Sequence, residues 1–378
     1  MSACSRSSRE STQSQIAPVV EIPTPPSVQS FSALSKSETA TSLSLKGTPS
    51  KPAHTLSYEI TTHAAHGSSV LQTGGLVTYT SDPGYVGTDF FEYRATEVET
   101  GTSSQVARVK ILTVSNNAAD SFWVRSEDIV GAGHGNTITN WPEYISGTNA
   151  SFKNADRTPR LDLNRASQPL VDFQSASGAL ATNDYLYYQN RYLFSEADGL
   201  TMIAVARYHN SVSSIMPILS FGAWSTLAYG LNWSSTGIGP VTPTSALYGG
   251  RDDRTLYTVD PLSPRGLSVV VSEVKFNIAT PGTPNGLQRV RVNGSPWVTS
   301  LPMALSALTA TQIAESPTPQ NNAGGGPMIL GSISNLEFQP DRRFSGQIGE
   351  VLVLARILSS EELETLERAL LEKFGITN

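Results

Sequence analysis

Cysteine is nearly missing from this chain: Cys4 is the single one among 378 residues, so no intrachain disulfide can form. Charge is scarce as well. Asp, Glu, Lys and Arg make up 15% of the sequence and the net charge is −6. The longest basic cluster is Arg342-Arg343, directly after Asp341. An electrostatic footprint for nucleic acid or for an anionic membrane is therefore excluded. No apolar stretch approaches the ~20 residues of a membrane-spanning helix, so membrane insertion is not expected. Nothing apolar precedes Cys4, so a lipoprotein anchor is not expected, and MSACSRSSREST is polar throughout, unlike a secretory signal. The expectation is a route other than ordinary secretion, as for a virion component assembled inside a host. A mature fragment is the other reading.

Gly (30 residues), Pro (23 residues), Ser and Thr fill the gap, beside an apolar fraction of 39%. Turns must then be frequent, and the expected class is all-β with many short strands. A helical bundle or a doubly wound α/β fold does not fit.

The chain divides into an arm and two domains. Residues 1–26 are Ser-rich and then Pro-rich (IAPVVEIPTPP), a composition that cannot bury a core. Its short apolar run, with Ile16, Val19, Val20 and Ile22, suits a strand added to a neighbour's sheet edge; a flexible linker is the alternative. In residues 27–115, Leu56, Tyr58 and Ile60 alternate, as do Phe91, Tyr93 and Ala95, and then Ala107, Val109 and Ile111. His66-Gly67, Gly74-Gly75 and Asp82-Pro83-Gly84 mark the turns between them. Such spacing predicts a β-sandwich. Tyr79, Gly84, Tyr85, Gly87, Asp89, Phe91 and Tyr93 stand at the positions of a YTP-x-x-GY-x-G-x-D-x-F-x-Y strand pair. On these residues the stretch resembles the immunoglobulin-like and cadherin-like repeats of bacterial surface proteins. The acidic calcium ligands of many cadherin-like repeats are not in it.

After a polar linker at 116–120, the second domain spans 121–378. It opens on Phe122, Trp123 and Val124, continues through Pro169-x-Val171-x-Phe173 and several apolar strands, and has a hairpin signal at Val292-Asn293-Gly294. GAGHGN at 131–136 has dinucleotide-like glycines but no βαβ pattern around it, so it reads as a loop. At the end, Ile348, Val351 and Val353 give a strand, and Ser359 and Glu362 have capping-box spacing. Leu363, Leu366, Leu370 and Phe374 follow at helical spacing, and Gly375 stands where a left-handed cap is wanted. In this order the segments resemble the concanavalin A-like (laminin-G-like) jelly-roll superfamily. The fold class expected is thus all-β: an immunoglobulin-like β-sandwich plus a concanavalin A-like jelly roll with one C-terminal helix. The resemblance implies sugar or protein binding at loop rims or on a concave sheet face, with hydrolysis in some members.

Chemistry is thinly supported. A glycosidase needs facing carboxylates, yet Glu273 and Glu350 are single acids on strand-like runs and Glu196/Asp198 sit in a turn-like stretch. None of the five histidines has a nucleophile-elbow context, and His63 and His66 have no Cys or acidic cluster beside them. The reading is therefore not an enzyme. A cofactor is not expected, except that Asp252, Asp253 and Asp260 offer hard oxygens for Ca²⁺ in a loop-rich stretch, with Arg251 and Arg254 as competing ion-pair partners. Aromatics carry the ligand-binding expectation: Tyr185, Tyr187, Tyr188 and Tyr192 cluster among polar residues, and Trp224 and Trp233 lie in a Gly-Ser stretch. Trp123 and Trp141 are read as core.

The function expected is a surface-displayed structural or adhesion protein, on a phage virion as a decoration, fibre or tail-associated component. The arm would contact the virion shell or neighbouring subunits, in a possible homo-oligomer. The jelly roll would meet a cell-surface glycan or protein. The alternative is a secreted bacterial carbohydrate-binding module at the cell surface, and behind it a glycoside hydrolase.

Overall fold

A computed structural model describes residues 24–152, 159–173, 186–188, 198–209, 215–221, 229–234, 246–251, 258–259, 266–276, 286–299, 328–331 and 344–377. The protein is all-β with one α-helix at its C-terminus.

The N-terminal sandwich has a four-stranded sheet in the order Phe31–Lys36, Ala107–Val114, Gly87–Glu97, Leu56–Thr62. A three-stranded sheet of Thr41–Ser44, Leu76–Ser81 and Gly67–Leu71 faces it. Alternation does what the sequence predicts: Phe91, Tyr93, Ala95, Val109 and Ile111 lie in the core, with polar neighbours outside. Two tyrosines reach the core while their hydroxyls stay paired, because an unpaired buried hydroxyl is costly. Tyr93 donates to the carbonyls of Gln29 and Lys46, and Tyr79 donates to Asp89 at 3.1 Å. Asp89 also accepts the amides of Ala65, His66 and Phe90, so it closes the loop below the strand. The Asp82-Pro83-Gly84 turn forms with Gly84 at φ 71°, a conformation open to glycine.

Glu97 closes the hairpin between Gly87–Glu97 and Ala107–Val114. Burial alone would raise its carboxyl, but bonds from Ser50, His54 and Thr100 outweigh this and hold it at about 2 against an ordinary 4.5. A carboxylate with a depressed folded pKa stabilises above its unfolded value and loses that contribution as pH falls. Glu97→Gln is therefore expected to lower the melting temperature at pH 7 and to leave it unchanged near pH 2, with the difference closing between about 4.5 and about 2. An equal deficit at both ends, read by circular dichroism melts, would remove the ionic role.

The second sandwich stacks an eight-stranded sheet on a seven-stranded one. The larger follows the order Arg160–Asp162, Leu170–Phe173, Gly346–Leu354, Gly199–Tyr208, Ser268–Lys275, Leu287–Val292, Val298–Thr299, with Ser121–Arg125 also paired to Gly346–Leu354. The smaller follows Ser151–Phe152, Leu186–Tyr188, Met328–Leu330, Ile215–Phe221, Tyr229–Ser234, Ala246–Arg251, Thr258–Val259. Phe122, Val171, Phe173, Met202, Ala204, Ile348 and Val351 meet Leu186, Tyr188, Leu219, Met328 and Leu330 between them. The Asn293-Gly294 hairpin forms with both residues at positive φ, 47° and 71°.

The helix Ser360–Phe374 forms as its sequence dictates. Ser359 and Glu362 make both halves of the capping box, and Gly375 takes the left-handed cap at φ 65°. Leu363, Leu366, Leu370 and Phe374 are all buried. Their partner is double. The helix lies on the outer face of the eight-stranded sheet, over Trp123, Ile203, Val205, Leu352 and Leu354, and the same apolar cluster includes Leu112 and Val114 of the N-terminal sandwich with Leu34 against it. Glycine at 349 is required here, because Phe374 leaves no room for a Cβ. Lys46–Glu372 (2.8 Å) and Lys110–Glu361 (3.1 Å) also cross the junction, but these pairs are exposed and worth a few tenths of a kcal/mol each. Burial of Leu34, Leu112 and Val114, at about 1.5–3 kcal/mol per fully buried side chain, dominates.

Candidate functional site

The aromatic prediction falls on the seven-stranded sheet. Strand Leu186–Tyr188 alternates, with Leu186 and Tyr188 buried in the core and Tyr187 half-buried on the opposite face against Ile329. Tyr188 is thus a core residue and leaves the set of candidate contacts. Its ring meets Phe122 edge-on at 5.1 Å and its hydroxyl donates to the Trp141 carbonyl at 3.0 Å. Tyr187 lies on a lateral row that crosses six strands: Ser151, Tyr187, Ile329, Ser220, Gly230, Gly250. Four of the six are Ser or Gly; Ile329 has no exposed surface and Tyr187 packs against it. Trp233 sits in strand Tyr229–Ser234, paired with Met216 and Leu247.

Tyr185, Tyr192 and Trp224 lie outside the described residues, as do Asp252, Asp253 and Asp260 and the arm residues Ile16, Val19, Val20 and Ile22. Among the described residues no group of three or more His, Cys, Asp or Glu is placed to hold a metal. Trp123 and Trp141 are core, as expected, with Nε1 of Trp141 donating to the Arg125 carbonyl.

Sequence reasoning missed the junction between the sandwiches. A half-open cavity of about 400 Å³ lies there, lined by Leu34, Ser42, Lys46, Arg125, Glu127 and Lys373 among others. At its edge Lys373 bonds Glu127 at 2.5 Å and Glu350 at 2.6 Å, and Trp123 Nε1 donates to the other Glu350 oxygen at 2.6 Å. Burial pushes the Glu350 carboxyl up, against the pull of Lys373. Burial opposes the Lys373 charge, but the two carboxylates outweigh it and hold its pKa above the ordinary value. The two acids are bridged by a lysine instead of flanking space for a sugar, so the cluster ties helix to sheet and lacks glycosidase geometry. Its signal was Glu350, one acid in a strand, GQIGEVLVL, that is otherwise without charge.

Two comparisons with known proteins gave matches. The bacterial Ig domain family matches residues 18–110, which covers most of the N-terminal sandwich. No curated protein matches. Among solved structures, the chain is similar to a Trypanosoma rangeli sialidase in complex with sialic acid, at 11% identity and a TM-score of 0.35, over 83% of this chain and 45% of that one. It thus spans less than half of the sialidase. It is also similar to an alginate lyase mutant in complex with an alginate tetrasaccharide, at 15% identity and a TM-score of 0.36, over 63% of this chain and 97% of that one. Likenesses this distant carry no inference about activity.

Proposed function

We propose that the chain is a non-enzymatic, surface-displayed structural or adhesion protein. In this reading residues 27–115 form an immunoglobulin-like spacer, and residues 121–378 form a laminin-G-like head that contacts glycans. Residues 1–26 attach the protein to its support, a virion shell or a neighbouring subunit. The observation that carries the reading is the junction. A bacterial Ig-type sandwich shares one apolar cluster with the second sandwich, so the head is held at a set orientation to its spacer. That suits display better than turnover, which needs a cleft with facing acid and base. The row through Tyr187 supplies the contact surface. In this reading the half-buried Tyr187 offers the free part of its ring for a sugar to stack on.

The test is a glycan array with the full chain and with Tyr187→Ala. Binding by the full chain and a loss of several-fold, up to about tenfold, in the variant are expected, from the roughly 0.5–1.5 kcal/mol that a stacked ring contributes. Absence of any glycan binding would overturn the head assignment. Separately, deletion of residues 1–26 is expected to abolish attachment to the particle, scored by co-sedimentation.

A further inference from the structure

We infer that the N-terminal arm of one copy pairs, through residues 18–22, with an open sheet edge at Thr41–Ser44 of a second copy. This names the neighbouring subunit of the reading above and rests on it. The edge belongs to the three-stranded sheet of the N-terminal sandwich, where Thr41–Ser44 has Leu76–Ser81 on one side only. Along an antiparallel strand, every second residue bonds that partner and the others point their amides and carbonyls away. Leu45 donates its amide to the Gly75 carbonyl at 2.8 Å, so Thr41 and Leu43 also bond inward. Ser42, Ser44, Lys46 and Thr48 therefore turn their backbone groups to the outer side. The chain itself covers half of this row. Ser27–Val28 pairs with Gly47–Thr48, and Gln29 donates to the Lys46 carbonyl at 3.1 Å. It then crosses to the other sheet, where Phe31 lies beside Val109. Ser42 and Ser44 stay exposed and have no backbone partner on the outer side among the described residues.

Open edges are usually protected by proline, by charge or by a bulge. Leu56–Thr62, at one edge of the four-stranded sheet, has a bulge between Ile60 and Thr62. Thr41–Ser44 has no charge and no proline, and it pairs without a register shift. All four of its residues line the half-open cavity of about 400 Å³, beside Phe31, Leu34 and Ala369. An added strand lies about 4.8 Å from its neighbour. It enters the cavity from the open side and sets alternate side chains on this apolar lining, while main-chain bonds to Ser42 and Ser44 hold it.

The occupant is in the chain. Residues 18–22 read Pro-Val-Val-Glu-Ile, with Val20 and Ile22 β-branched and alternate. The bacterial Ig domain match starts at residue 18, so this run counts with an Ig sandwich and not with a separate tail. Its own sandwich is out of reach. Ser27 lies opposite Thr48, and from there the chain leads backwards away from Ser44. Residues 23–26 link Ile22 to Ser27 and let them stand about 17 Å apart at full extension. The direct path back to Ser44 is about 13 Å, four residues of strand, and residues 27–29 already fill it. A detour around them outruns the link, in which Pro25-Pro26 also favours extended backbone over a reversal. The strand at this edge thus comes from another copy.

The test is cross-linking of full-length chains in a Cys4→Ser background. Val20→Cys and Ser42→Cys are made in separate chains, mixed, and treated with a short bismaleimide. Covalent dimers well above those from either variant alone are expected. Light scattering gives a second readout: the unaltered chain self-associates, and Ser42→Pro and Val20→Asp each weaken this by about tenfold. Proline at 42 removes only an outward amide, so the ladder to Leu76–Ser81 is kept, and a melting curve confirms folding. Val20→Asp leaves the edge itself intact. A monomeric full chain, or a mixture that gives no dimer, would overturn the pairing. So would equal cross-linking to Ser68→Cys on the opposite edge of the same sheet, or a link that forms only within one chain carrying both cysteines. Particle attachment lost on deletion of residues 1–26, with no self-association, would leave the adhesion reading standing and remove this one.

Discussion

Leu366→Ala is expected to lower the unfolding free energy by about 3 kcal/mol and to split one melting transition into two. Leu366 has no exposed surface and sits in the cluster that joins the helix to both sandwiches. Leucine truncations in a packed core cost about 2–5 kcal/mol, from the lost transfer term plus the cavity left behind. The helix cannot collapse far to fill such a cavity. Its ends are pinned by the capping box at Ser359 and by the left-handed cap at Gly375, where Ser167 also bonds the Lys373 carbonyl. In the intact protein the apolar contacts of Leu34, Leu112 and Val114 couple the sandwiches, so they unfold together. Once the helix loosens, its exposed pairs Lys46–Glu372 and Lys110–Glu361 go with it, and the Lys36 bond to the Tyr144 carbonyl at 3.0 Å is too weak to enforce joint melting. Scanning calorimetry reads both effects. Two separate transitions in the unaltered chain would show that the junction does not couple the sandwiches, whatever the variant does.

What was legible in the sequence follows the range of the interactions. Each helix cap joins residues within four positions of one another, so Ser359 with Glu362 and, separately, Gly375 could be read directly. The stripe of Leu363, Leu366, Leu370 and Phe374 announced an apolar partner but not which one, and the partner proved to be two sandwiches at once. Glu367, between those leucines, reads as a solvated charge; it is buried and bonded to Arg291 from a strand some seventy residues earlier. The tyrosine pair shows the limit of period-two reasoning. Tyr187 and Tyr188 are adjacent, so only one can enter the core, and the register that decides it is set by strand Met328–Leu330 far along the chain. The register also sets Arg160, Asp172, Gln347 and Arg207 side by side across the eight-stranded sheet, a row hidden for the same reason, since its members come from four strands and no local pattern links them.

Lys373→Met should destabilise the protein by about 3–5 kcal/mol at neutral pH, because it leaves the Glu350 charge buried without its counter-ion. The Trp123 Nε1 bond remains but supplies one hydrogen bond and no charge. Glu127 loses the lysine too, yet it stays partly exposed with Arg125 at 3.8 Å, so the cost lies chiefly with Glu350. The sign of the pH dependence follows from the direction of the shift. Burial already pushes the Glu350 carboxyl above its ordinary 4.5, and removal of the lysine lifts it further. A group with a raised folded pKa favours the folded state fully below its unfolded value and loses that contribution as pH rises through the folded one. Urea unfolding of Lys373→Met should therefore give more stability near pH 5 than at pH 7.5, relative to the unaltered chain. Glu350→Gln in the same background should recover most of the loss at pH 7.5 and flatten the profile, since a neutral amide keeps the shape without the charge. If the double variant is as unstable as Lys373→Met alone, the unpaired Glu350 charge is not the source of the loss, and the cost lies with the Glu127 contact instead.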